Sequence, residues 1–254
     1  MVLARERREQ VEILRIDRPE ARNAINPAVS EAIDAALDDA EADPAVRAVV
    51  LTGTGAVFSA GADLKELARG GGQGIFTPHG GFAGFVERDF PKPLIAAVNG
   101  TAVAGGFELV LACDLVVAAN TAVFGLSEAK RGLVATGGGL VRLAKRVPLA
   151  LALEIAMTGE PIDVERAYAL GLVNRVVAAS EVVDAAVALA RMIAANSPLA
   201  VRNSRRLVRE AHDLDEPAAW ARGRELAAEV LASPDALEGA RAFTEKRAPV
   251  WQTT

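Results

Sequence analysis

Asn99-Gly100-Thr101-Ala102-Val103-Ala104-Gly105-Gly106-Phe107-Glu108-Leu109-Val110-Leu111-Ala112-Cys113-Asp114 is the stretch from which the rest of the chain can be read. Leu94 to Val98 just before it is an apolar, strand-like run. Small residues then allow a tight turn, and Glu108 to Ala112 returns to good helix formers. The pattern is strand, glycine turn, helix. A Gly105 amide in the first helical turn lacks an intrahelical acceptor, and the aligned peptide dipoles there favour a negative oxygen. Glu108, three residues on, lies on the same helix face one turn along. A donor and an acid/base group therefore converge, although such a turn also serves as plain packing in α/β proteins.

Outward from this stretch the pattern is that of a mixed α/β chain. Val11, Ile13 and Ile16 mark an opening strand that ends at Arg18-Pro19. Asn26-Pro27 is a helix start, with Asn as cap and Pro at the first helical position, and Val29, Ile33 and Leu37 supply an apolar face up to Asp43-Pro44. Val46 to Thr52 is a β-branched run suited to a strand buried on both faces. Asp114 to Ala118 repeats that signal, Val123 to Leu126 is a shorter strand, and Gly132 to Gly139 turns into a helix over Leu140 to Val147. The sheet is expected to end there, with mainly helical pattern from Leu149 onward. Two units follow: a core over residues 1–179 and a helical region over 180–254. The segment from Gly70 through Gly81, ahead of Phe82, Phe85 and Val86, reads either as a mobile wall of an apolar pocket or as a packed surface helix.

The 254 residues carry 28 Lys and Arg against 33 Asp and Glu, a net charge of −5 that argues against nucleic acid as the main partner. No apolar run has the length of a membrane span, and Met1 to Gln10 is charged, so neither a membrane nor secretion is indicated and the cytoplasm is the expected location. Cys113 is the single cysteine and reads as a small buried thiol. Gly53-Thr54-Gly55 fails the dinucleotide fingerprint because Phe58 stands where a third glycine is needed. The chain has no G-x-x-x-x-G-K-S/T and no H-E-x-x-H, and its two histidines, His79 and His212, make a metal site unsupported. Gly125-Leu126-Ser127-Glu128-Ala129 lacks the last glycine of a serine-hydrolase elbow. Arg202, Arg205, Arg206 and Arg209 recur at helical spacing and read as a solvated helix face, with phosphate contact or RNA binding as the alternatives.

Ala104-Gly105-Gly106 with Glu108, Ala56-Val57-Phe58-Ser59-Ala60-Gly61-Ala62-Asp63-Leu64-Lys65-Glu66-Leu67, and Phe124-Gly125-Leu126-Ser127-Glu128, in that combination, resemble the enoyl-CoA hydratase/isomerase (crotonase) family. The likeness runs from Arg22-Asn23-Ala24 to Phe243-Thr244-Glu245-Lys246-Arg247-Ala248-Pro249. It implies an α/β, crotonase-like (ββα spiral) core followed by a helical trimerisation region. In that family two backbone amides grip the thioester oxygen, and the matching positions are Ala62 and Gly105. Its hydratases use two glutamates, matched by Glu108 and Glu128, whereas relatives that only isomerise double bonds commonly keep one. The resemblance thus implies water addition to a trans-2-enoyl-CoA, with an isomerase or a carnitinyl-CoA dehydratase-like enzyme as alternatives. Gly80-Gly81-Phe82-Ala83-Gly84 and Glu128-Ala129-Lys130 resemble the carnitinyl-CoA branch. Coenzyme A would be part of the substrate rather than a separate cofactor. The matching positions for it are Arg22, Ala24, Ala60, Ala62, Asp63, Leu64 and Lys65, with Lys246 reaching over from a neighbouring subunit of a homotrimer or dimer of trimers.

Overall fold

A computed structural model of the chain describes residues 1–70 and 72–252. It opens with an antiparallel hairpin of β1 (Leu3–Arg8) and β2 (Val11–Ile16), followed by α1 (Pro27–Ala42). A unit of long strand, short strand and helix then recurs. Its first copy is β3 (Ala48–Gly53), β4 (Val57–Ser59) and α2 (Leu64–Ala68). After the small hairpin β5 (Phe76–Thr77) and β6 (Gly81–Phe82), the second is β7 (Leu94–Val98), β8 (Thr101–Val103) and α3 (Gly105–Ala112). The third is β9 (Leu115–Ala119) and β10 (Val123–Gly125), with a single 3-10 turn at Glu128–Arg131 in place of the helix. The chain continues through α4 (Gly139–Arg146), α5 (Leu149–Thr158), β11 (Ile162–Asp163), α6 (Val164–Ala169), β12 (Arg175–Val177) and α7 (Val182–Ala194). It ends in α8 (Pro198–Glu210), α9 (Glu216–Leu231) and α10 (Pro234–Glu245).

The long strands form one sheet in the order β1-β2-β3-β7-β9-β12, parallel except for β1. Ile13, Val50, Ile95 and Leu115 sit side by side across it. Every residue of β3 and β7 is buried, as their uninterrupted apolar runs require of strands covered on both faces. On one face α7 packs against β3, β7 and β9. The short strands form a second sheet, β11-β10-β8-β4, in which β4, β8 and β10 run parallel. Their C-terminal ends therefore share one edge, the usual place for a ligand beside parallel strands. Asn99 and Asn23 fix the bend between β3 and β4. Asn99 Oδ1 accepts from the Gly53 N–H at 3.1 Å, and the Asn23 side-chain amide donates to the carbonyls of Thr54 (2.9 Å) and Val57 (2.6 Å).

Four expectations need correction. The hairpin strand β1 was hidden by its charges; Arg5 and Arg7 both donate to the buried carboxylate of Glu12 on β2. Asn99-Gly100 joins two strands, and the turn into α3 is confined to Ala104. The sheet does not end before Leu149, because β12 closes its far edge and β11 extends the second sheet. The arginines of α8 are not uniformly solvated. Arg205 and Arg209 turn inward to Asp114 at 2.7 and 3.0 Å and also donate to the carbonyls of Phe90 and Ala112. In the Gly70 to Gly81 segment Gly71 lies outside the described residues; Ile75, Phe82, Phe85 and Val86 are buried. Among the described residues no single helix is long and apolar enough to cross a membrane.

Candidate active site

The ends of β4, β8 and β10 open into a cavity of about 720 Å³ lined by Ala62, Gly105, Glu108 and Glu128, among others. Gly105 is the first residue of α3, and Ala104 before it has a positive φ of 52°. That conformation is costly for a residue with a Cβ and marks the turn at which β8 gives way to α3. Neither the Gly105 nor the Ala62 N–H has an acceptor among the hydrogen bonds of the described residues. Their turns are pressed together. Gly61 sits at φ +82°, and a Cβ on it would stand 2.6 Å from the Gly105 nitrogen. Gly105 is constrained by packing alone, since a Cβ there would meet the Phe82 ring at 2.5 Å and the Gly61 Cα at 3.2 Å. At Gly61 both the conformation and the space require glycine, and at Gly105 a side chain would force the Phe82 ring to move.

Glu108 is 4% exposed, and its Oε1 accepts from the Gly139 N–H at 2.9 Å. Burial raises its pKa, while the backbone of Gly139 and Gly137 and the charge of Arg142 pull the other way. Arg142 also donates to the carbonyls of Gly137 (3.1 Å) and Val86, pinning the loop that holds the glutamate. Glu128 opens the 3-10 turn after β10. Its Oε2 is buried and finds no hydrogen-bond partner among the described residues. Burial, with the neighbouring Glu108 carboxylate adding to it, outweighs the opposing pull of the residue's own backbone N–H and pushes the Glu128 carboxyl up to about 7. An acid and a base can thus coexist near neutrality, made from two identical side chains.

At the cavity's outer end Asp63 caps α2 and accepts from Arg18 at 3.1 Å, and Arg18 also donates to the Ala24 carbonyl at 2.6 Å. Arg22, Lys65 and Arg131 line the same cavity, are exposed, and make no ion pair among the described residues. The site therefore runs from a cationic mouth to two unaccepted amides flanked by two desolvated carboxylates.

Residues 6–254 match the model of the family described as enoyl-CoA hydratase/isomerase. The chain belongs to the enoyl-CoA hydratase/isomerase family. Among the similar proteins of this family, a carnitinyl-CoA dehydratase of Salmonella typhi is 44% identical over 243 residues, 93% of each chain. The crystal structure of an enoyl-CoA hydratase from Mycobacterium tuberculosis H37Rv has a TM-score of 0.95 at 46% identity, covering 100% of this chain and 99% of that one. That of a carnitinyl-CoA hydratase from Mycobacterium avium has a TM-score of 0.78 at 47% identity with the same coverage. The α/β, crotonase-like fold with C-terminal helices is thus the fold of this enoyl-CoA hydratase/isomerase family member.

Of the positions named from the sequence, Arg22, Ala24, Ala60, Ala62, Asp63, Leu64, Lys65, Gly105, Glu108 and Glu128 all line the one cavity. Lys246 does not; it caps α10 in a left-handed conformation and is exposed. Arg18, Arg131 and the Gly137–Gly139 grip on Glu108 were missed. The glycine cluster before α4 was the available signal, since close backbone approach to a carboxylate is one reason for glycine.

Proposed function

We propose that the chain is an enoyl-CoA hydratase, a hydro-lyase that adds water reversibly across the double bond of a trans-2-enoyl-CoA. The observation that carries the reading is the pairing of Glu108 and Glu128, both desolvated, beside the unaccepted amides of Ala62 and Gly105. Attack of water on the β-carbon pushes electrons onto the thioester oxygen. Two amides held ready for that oxygen need no reorganisation as charge develops, and each is worth about 2.7–4 kcal/mol in comparable sites. Glu108 accepts a proton from the water, and Glu128, half protonated near neutrality, gives a proton to the α-carbon. Coenzyme A is carried as part of the substrate, its phosphates at Arg22, Lys65 and Arg131 and along the backbone from Ala60 to Leu64.

Assembly as a homotrimer, or as a dimer of trimers, would bring Lys246 from a neighbour to that mouth. Exposed Leu231, Leu237, Phe243 and Val250 in the region 180–254 support an interface there. The cytoplasm is the compartment proposed. The test is loss of the conjugated thioester absorbance with crotonyl-CoA. Glu108→Gln and Glu128→Gln should each lower turnover by about 10²–10⁴ with the fold intact, and parental rates in either variant would refute the roles.

A carnitinyl-CoA dehydratase-like activity is the second reading, favoured by the names of two similar proteins. A quaternary ammonium calls for an aromatic or acidic cage, and Phe76 and Phe82 are the aromatic residues lining this cavity. Comparing carnitinyl-CoA with an uncharged 3-hydroxyacyl-CoA of equal length in the dehydration direction separates the two.

A further inference from the structure

A second cavity, of about 780 Å³, shares no lining residue with the first and lies along α4 and α8. Arg142, Lys145, Arg146, Arg205 and Arg209 line it together with one carboxylate among the described residues, Asp114. Asp114 is already engaged by Arg205 and Arg209, and Lys145 is paired with Asp213. Among the described residues Arg146 is left with the Cys113 carbonyl, at 2.9 Å, and Arg142 with two carbonyls. The Arg205 Nη2 is buried with no partner among the described residues. Burial and neighbouring arginines act together to lower the pKa of both Arg142 and Arg146, the sign of cations crowded without enough counter-charge.

Such a cluster is stable when an anion completes it, and guanidinium forks match the oxygens of phosphate in geometry as well as charge. The volume is in the range of small-molecule sites. We infer that this cleft between α4 and α8 binds a small phosphate-bearing polyanion, with Arg146 and Arg209 as its principal ligands.

Calorimetric titration of the full chain with inorganic pyrophosphate tests this, with the phosphate positions of the first cavity removed throughout by Arg22→Gln, Lys65→Gln and Arg131→Gln and the chain unaltered in the second cleft serving as wild type. The wild type should bind one pyrophosphate per chain. Arg146→Gln/Arg209→Gln should weaken binding at least tenfold. Those two arginines also hold carbonyls at the end of α3, so a second variant is needed that removes no contact. Val208 lines the cleft and is 69% exposed, and Val208→Glu places a carboxylate at its mouth. It should abolish binding while leaving the thermal midpoint near the parent's. No binding to the wild type at millimolar pyrophosphate would overturn the inference, as would equal affinity in Val208→Glu. Should carboxylates of a second copy fill the cleft instead, pyrophosphate would not bind and the double variant would change the sedimenting mass, which also overturns it.

Discussion

Replacing Glu128 by Gln should make the protein slower and, at alkaline pH, more stable. In the unfolded chain this carboxyl titrates at its ordinary 4.5, and in the fold at about 7. Between those values the folded chain keeps a proton that the unfolded chain has lost, so stability falls as pH rises through the window. The full cost is present above about pH 7 and absent below about pH 4.5. At about 1.36 kcal/mol per pH unit the gap is worth at most about 3 kcal/mol, reduced by solvent screening because the carboxyl is only partly enclosed. Glutamine removes the charge but leaves a buried amide with the same lack of a partner that Oε2 has now, a penalty of about 1–3 kcal/mol. The net expectation is a variant more stable than the parent by up to about 2 kcal/mol at pH 8, with the advantage lost or reversed at pH 4.5. For a chain of this size that is up to about 8 °C in thermal midpoint.

Denaturation of both proteins at the two pH values, at one fixed protein concentration, reads the difference directly. Because Glu108 and Glu128 interact, the transition belongs to the pair and spreads over more than one pH unit. A stability difference that is the same at both pH values would refute the claim that burial, and not shape, sets the Glu128 pKa. So would a variant less stable than its parent at pH 8.

Gly61→Ala should cut turnover at least 100-fold while circular dichroism stays native, because the new Cβ at a positive φ drives the Ala62 and Gly105 turns apart. Arg142→Gln should lower turnover about tenfold and shift the acid limb of the pH–rate profile upward, since a cation that favours the Glu108 carboxylate is lost. Arg142→Lys, which keeps the charge, should restore the position of the limb but not the full rate. Lys246→Ala should raise KM for the coenzyme A thioester several-fold with little change in kcat, and should leave KM for a truncated pantetheine thioester unaltered.

Signals confined to one element were legible. Asn26-Pro27 caps and starts α1, with Asn26 Oδ1 accepting from the Val29 N–H at 3.0 Å, because capping chemistry involves only three or four consecutive residues. The apolar runs of β3 and β7 were read for the same reason. What joins Ala62, Gly105 and Glu128 is strand order. β4, β8 and β10 are neighbours in the second sheet, and three-residue strands carry too little pattern to reveal that order. The convergence came from resemblance, not from residue physics.

The α8 arginines fail in the opposite way. Their spacing fits a solvated stripe and an inward clamp equally well, and the choice is made by Asp114 and by the carbonyl end of α3, far away in the chain. The two glutamates show the same dependence on distant partners, with a consequence for chemistry. From the sequence they are interchangeable. In the fold Glu108 is held by a backbone N–H from Gly139 while Glu128 keeps one buried oxygen unpartnered. Hydrogen bonds and a nearby cation stabilise an ionised carboxylate, as Gly139, Gly137 and Arg142 do for Glu108, whereas at Glu128 burial outweighs the single local N–H and stabilises the neutral form. That asymmetry favours Glu108 as the base that receives a proton from water and Glu128 as the acid that delivers one to the α-carbon.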